Sequence, residues 1–264
     1  MTTEPVSLQG NSPLGWLRPR RQGETNIPVV RYPTVAVRVR EVRRMRQFLR
    51  DNGLSVALFG LFLISLVGQA LTGWRAQAEE LQLHALPAIG LTDYLASGHF
   101  ISAVFENWES EFLQMATYVL LTIFLFQKGA SESKKPDEAN PEDEAPIVKR
   151  NDPDAPWPVH RGGLLLKLYS HSLSIALVTL FLASFWLHLA GSTRRMNEEA
   201  IMHHQPTQTM TDTLADPQFW YESFQNWQSE FLSIGVLLVL GIFLRQRGSP
   251  ESKPVAAPHA ATGH

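Results

Sequence analysis

Apolar residues in this chain are gathered into four uninterrupted blocks rather than scattered at a regular helical or strand spacing. The first, Leu54 to Leu71 (LSVALFGLFLISLVGQAL), contains no charge, and the third, Leu173 to Ala190 (LSIALVTLFLASFWLHLA), is its near twin. Each is about 18 residues, or roughly 27 Å as a helix, close to the ~30 Å of a bilayer's hydrocarbon core. The second and fourth blocks end in Phe126 and Leu244 and are shorter. To span, each must recruit the polar turn before it, so the spacing predicts spans at 54–71, 108–126, 173–190 and 227–244. Buried helices of a soluble protein keep a polar face, whereas the first and third blocks are apolar nearly all round.

The blocks come in pairs. Leu49 to Lys134 aligns with Leu168 to Lys253 without a gap, with about 35 of roughly 86 positions identical, far above chance. Glu79-Glu80 matches Glu198-Glu199, His84 matches His203, and Thr92-Asp93 matches Thr211-Asp212. NWESEFL (from Asn107) matches NWQSEFL (from Asn226), and even the tails match, GASESK against GSPESK. A unit of two spans returns to the side it started from, so both units enter the membrane in the same sense as parallel repeats. The reading is an all-α integral membrane four-helix bundle of two tandem two-span units. It comprises a disordered basic extension (1–47), unit one (48–128), an acidic Pro-rich linker (129–160), unit two (161–247) and a disordered tail (248–264). Met45, just ahead of the repeat, is a candidate start.

Charge then sets orientation. The formal net charge of -2 hides a strong segregation. Arg38, Arg40, Arg43, Arg44, Arg46 and Arg50 precede the first span, and Lys128, Lys134, Lys135, Lys149, Arg150, Arg161 and Lys167 lie between spans two and three. Arg245, Arg247 and Lys253 follow the last span. The loop 72–110 holds only Arg75, and the matching loop 191–229 only Arg194 and Arg195. The asymmetry places both termini on the cytoplasmic side of the plasma (inner) membrane and both NW-S-EFL blocks at the outer face. The Arg-rich stretch abuts an apolar block instead of forming a folded basic face, which argues against a nucleic-acid partner. The partners expected are the lipid bilayer and further copies of the chain.

Composition removes several chemistries. There is no cysteine, hence no disulfide, thiolate nucleophile or cysteine metal site. No phosphate loop, nucleophile elbow or HExxH sequence occurs, so no catalytic residue, metal or cofactor is assigned. The candidate functional or packing residues are those of the repeated block: Asn107, Trp108, Ser110 and Glu111 in one unit, Asn226, Trp227, Ser229 and Glu230 in the other. Asn107, Ser110 and Glu111 share a helix face, as do their counterparts, giving each short span a polar stripe at its outer end. Trp suits the aromatic belt, Asn or Ser caps free amides and Glu suits the positive helix end. Ionisable groups at membrane depth are also functional candidates, and Glu111 and Glu230 can face a shared centre. Glu109, opposite Gln228 in the second copy, is the variable neighbour and is expected to be dispensable. His188, opposite Gln69, reads as a polar side chain reaching the interface; His84, His203 and His204 sit in the outer loops without a ligand pattern.

The stretches FLRDNGLSVALFGLFL, GHF, NWESEFLQM and NWQSEFL, with the tail RQRGSPESKP, resemble a family of bacterial four-span membrane proteins catalogued as a domain of unknown function. The resemblance runs from about Met45 to the C-terminus and implies four spans but no activity, substrate or cofactor. The function expected is non-enzymatic, structural or interaction-based. The alternative is a small transporter or channel with a polar pathway near Glu111 and Glu230.

Overall fold

The computed structural model describes residues 35–136 and 138–263; most of the basic extension lies outside them. Among the described residues the chain is helical without strands. In order these are α1 (Val35–Leu83), α2 (Leu91–Leu95), α3 (Gly98–Phe124), α4 (Trp157–Arg161), α5 (Gly163–Ser170), α6 (Ser172–Met202), α7 (Met210–Ala215) and α8 (Pro217–Phe243). Two short 3₁₀ turns, Pro141–Asp143 and Pro146–Lys149, punctuate the linker. Helix α1 begins at Val35, upstream of the expected unit boundary.

The chain divides into two units, the first ending at Phe62 and the second running from Leu63. The described part of the first unit belongs to α1. The helix departs from helical geometry at Asn52 (φ -127, ψ 18), whose side-chain amide donates to the Phe48 carbonyl at 3.0 Å.

In the second unit α3 is central, lying along α6 on one side and α8 on the other. The α3–α6 approach depends on two glycines. A Cβ at Gly191 would sit 2.5 Å from the Ser102 nitrogen, and one at Gly98 would collide with the backbone of Arg194 and Arg195. The packed core of this unit is therefore three helices. The α1 residues that belong to it leave Leu63, Ile64, Val67 and Leu71 exposed. Near its C-terminal end α1 meets the loop that follows, where the Trp74 indole donates to the Ile89 carbonyl at 2.8 Å. A helix apolar all round gains little from a protein partner where lipid is equally apolar.

Among the described residues three helical stretches are long and apolar enough to cross a membrane: Glu41–Leu83, Ser172–Met202 and Pro217–Phe243. They contain the expected spans 54–71, 173–190 and nearly all of 227–244. The expected span 108–126 falls on α3, which is not among those stretches, because the middle of α3 carries Glu106, Glu109, Glu111 and Gln114.

Equivalent positions in the two halves of the sequence take the same local geometry. The break at Asn52 is matched at His171 (φ -116, ψ 10), between α5 and α6. Ala85 (φ 56) and His204 (φ 55) both adopt the left-handed conformation just beyond a helix end. The Leu86 amide donates to the Leu81 carbonyl and the Gln205 amide to the Ala200 carbonyl, closing the helix ends in the same way. After the last turns, Gly129 (φ 89) and Gly248 (φ 86) reverse the chain. Ser133 and Ser252 then accept from the amides of Gln127 and Gln246 at 2.8 and 2.9 Å. The tail, expected to be disordered, carries Lys253, 2% exposed. Its ammonium donates to the carbonyls of Gly129, Pro258, His259 and Ala261.

Candidate functional site

The side chains between α3 and α6 are small and polar where the helices are closest. Ser102 and Ser192 share a hydrogen bond of 2.8 Å, and both are buried. Two turns further along α3 is Glu109, facing His188 of α6. The imidazole Nδ1 lies 2.8 Å from the Glu109 Oε2, and both side chains are fully buried. Helix α8 closes the third side: the Trp227 indole donates to the other Glu109 oxygen at 2.9 Å. One carboxylate thus ties three helices together. Burying a carboxylate is costly unless it is paired and hydrogen-bonded, and Glu109 is both.

A second layer surrounds this pair. The Asn226 amide donates to Glu106. Arg195 on α6 donates to both oxygens of Glu222 on α8, at 2.8 and 3.0 Å, and Gln218 donates to the same carboxylate at 2.9 Å. Phe219, wholly buried, lies against the His188 ring with centroids 4.7 Å apart. A ring nitrogen of His188 and one carboxylate oxygen each from Glu106 and Glu222 lie within 4.8 Å of one another. The His188 Nε2 is buried and has no hydrogen-bond partner among the described residues.

Of the expected site residues, Asn226 and Trp227 enter this cluster. Ser110 is buried beside it and returns its hydroxyl to the Asn107 carbonyl at 2.8 Å. Asn107 is exposed and donates to the Ala103 carbonyl; Ser229 is exposed and donates to the Asn226 carbonyl. Trp108 is half-buried and packs edge-on against Phe105 at 5.1 Å. Glu111 is exposed and Glu230 half-buried, and the two are close enough to repel one another. The buried carboxylate is Glu109, the position expected to be dispensable. On α3 it lies a turn beyond Glu106 and two turns beyond Ser102, on the face turned to α6, and Glu111 projects from a different face.

Glu106, Glu109, His188, Arg195 and Glu222 are the residues that pattern reasoning did not assemble. They share a signal: the matching positions in the other half hold Gln225, Gln228, Gln69, Ala76 and Ala103, none of them ionisable.

Outside the helical core, His84 and His203 meet edge-on with ring centroids 5.8 Å apart. Thr209 and Asp212 form a reciprocal cap at the start of α7. The Thr209 amide and hydroxyl, donating to Asp212, hold its carboxyl below the ordinary carboxylate range.

No curated protein and no solved structure matches the chain. Residues 45–264 match a domain of unknown function, DUF6766, and with that match covering most of its length the chain belongs to the DUF6766 family.

Proposed function

We propose that this is a multi-pass membrane protein of two tandem two-span units, with a structural or interaction role rather than a catalytic one. Its buried polar network sets how the helices pack. The carrying observation is the fully buried Glu109–His188 pair with Trp227, which fastens α3, α6 and α8 through one carboxylate. Between membrane helices the hydrophobic effect gives little drive to associate, and small residues with buried hydrogen bonds take its place. Gly98, Gly191, Ser102 and Ser192 fit that pattern. The apolar side chains exposed along the second half of α8, among them Leu237, Val239, Leu240 and Phe243, form a surface for lipid or a partner helix.

In this reading α3 is the fourth span. Its polar first half faces α6 and α8, and its second half completes the crossing. Both termini lie on the cytoplasmic side of the plasma membrane, as the Lys and Arg asymmetry requires. Single cysteines at Ser131, Glu80 and Glu199 test this in a chain with no cysteine of its own. An impermeant thiol reagent applied to intact cells should label the last two and spare the first. Labelling at Ser131 overturns the topology.

A second reading, a small transporter or channel, draws on the same ionisable cluster, since charged groups at membrane depth commonly mark ion pathways. Proteoliposomes holding the purified chain and a pH-sensitive dye separate the two: the scaffold predicts no proton or cation flux above empty vesicles.

A further inference from the structure

We propose that Glu106, His188 and Glu222 bind one divalent first-row transition-metal ion between α3, α6 and α8, and that Glu109 is the positioning residue that aims His188 at it. A carboxylate oxygen from each glutamate and a ring nitrogen of His188 already lie within 4.8 Å of one another. Which nitrogen faces the ion follows from the hydrogen bonds. Nδ1 is engaged by Glu109 at 2.8 Å, and Nε2 is left buried and unpartnered among the described residues. A buried ring nitrogen without a partner is costly, and an ion removes that cost. Metal-bound histidines characteristically donate their second N–H to a carboxylate, which fixes the tautomer and raises the ligand's basicity. Glu109 stands where that carboxylate belongs, and Phe219 packed on the ring at 4.7 Å limits its rotation.

The carboxylates are oriented in the same manner. Asn226 donates to Glu106, and Arg195 and Gln218 donate to Glu222. Each carboxylate oxygen has more than one lone pair, so these donors leave room for an ion. Formal charge favours a cation here: the carboxylates of Glu106, Glu109 and Glu222 surround His188, and Arg195, which pairs with Glu222, is shared with Glu199. Metal–ligand distances of about 2.0–2.2 Å require ligand atoms to close to roughly 3–3.5 Å of one another. Glu106 and Glu222 are only half-buried, so rotation of their side chains can supply that movement. Two carboxylates with one imidazole suit Mn²⁺, Fe²⁺ or Zn²⁺ better than the thiolate-seeking ions. Drawing ligands from three helices is the usual way a helical bundle builds such a centre. The site requires only that α3, α6 and α8 pack as described, and holds whether the protein is a scaffold or a conduit.

The test uses the full chain, purified in detergent, stripped with chelator and titrated with Mn²⁺. The loss of the free-ion paramagnetic resonance signal is followed, and Zn²⁺ serves as competitor. Expected are one Mn²⁺ per chain, displacement by Zn²⁺, and hyperfine coupling from a single imidazole nitrogen. Glu106→Gln and His188→Gln should weaken binding at least tenfold. Glu109→Gln, which leaves the ligand set intact, should weaken it about 10–100-fold while retaining the nitrogen coupling. Glu111→Gln should bind as the parent does. Circular dichroism and gel filtration establish that each variant is folded. Should His188→Gln fail to fold, the nitrogen coupling of the parent and the affinity of Glu106→Gln still decide. A folded parent that binds neither Mn²⁺ nor Zn²⁺, or that binds without nitrogen coupling and with Glu106→Gln unchanged, overturns the proposal.

Discussion

Replacing Gly191 by alanine should destabilise the protein although alanine is the better helix former. The added Cβ would lie 2.5 Å from the Ser102 nitrogen and 2.9 Å from its Cα, where ordinary contact needs about 3.5–4 Å. Both obstacles are backbone, so no rotamer change relieves the clash, and α3 must retreat from α6 by about 1 Å. Overpacking of this kind costs about 1–3 kcal/mol. The retreat also stretches the Ser102–Ser192 bond from 2.8 Å beyond useful range, which adds about 1 kcal/mol. Helix propensity returns about 1 kcal/mol, leaving a net loss of about 1–3 kcal/mol. The assay is reversible denaturant unfolding of the detergent-solubilised protein followed by circular dichroism. Gly235→Ala in α8 is the control, because a Cβ there meets nothing within 4 Å, and it should be neutral or stabilising by up to about 1 kcal/mol. Equal stability of the Gly191→Ala variant and the parent would refute the close α3–α6 crossing on which the cluster depends.

Three further outcomes follow from the same geometry. Glu109→Gln should cost about 1–3 kcal/mol in the same unfolding assay, because a neutral amide replaces the carboxylate that accepts from the Trp227 indole and pairs with His188, which weakens both interactions; Glu111→Gln, on an exposed side chain, should stay within about 0.5 kcal/mol. Trp227→Phe keeps the aromatic body but removes the donor to Glu109, and should lose about 1.5–3 kcal/mol, the range for a hydrogen bond to a charged group. Asp212 has its folded pKa depressed by the Thr209 donors, so its stabilisation is present above the ordinary carboxylate pKa and disappears as pH falls through the folded value. The advantage of the parent over Asp212→Ala at neutral pH should therefore vanish in strong acid, read as protection of the α7 amides from hydrogen exchange.

Much of the architecture was legible because it rests on periodicity and punctuation. Uninterrupted apolar blocks leave helix as the local solution, and each expected span falls within a long helix, with a one-residue overhang at the end of α8 and two at the end of α3. Hydropathy alone does not mark the beginnings of α3 and α8. Gly98 and Pro217 start these helices some ten residues before the expected spans, after Ser97 and Asp216 cap the first free amides, accepting from Phe100 and Gln218. Hydropathy is blind to such starts because the first turns are amphipathic. The packing of α3 between two partners was not legible at all, since it depends on Gly98 and Gly191 being empty where two backbones cross, and nothing local distinguishes those glycines from Gly235.

The cluster was missed for a reason built into how a repeat is read. Positions kept in both halves of the sequence, such as Trp108 with Trp227 and Glu111 with Glu230, report what each half needs for itself, such as a helix start or a turn. A centre formed once, where α3 from the first half of the sequence meets α6 and α8 from the second, has no reason to be kept twice. Its residues fall among the differences: Glu106 against Gln225, Glu109 against Gln228, His188 against Gln69, Glu222 against Ala103. Two of these exchange carboxylate for amide at constant shape, so the helix surface is retained while its charge is confined to one copy. Trp227 shows both principles at once. It is a retained residue whose indole, in the second copy, donates to the Glu109 carboxylate on α3. Where two halves of a sequence are this alike, the shared positions describe their common framework, and the ionisable differences that converge in space describe what the two halves build together.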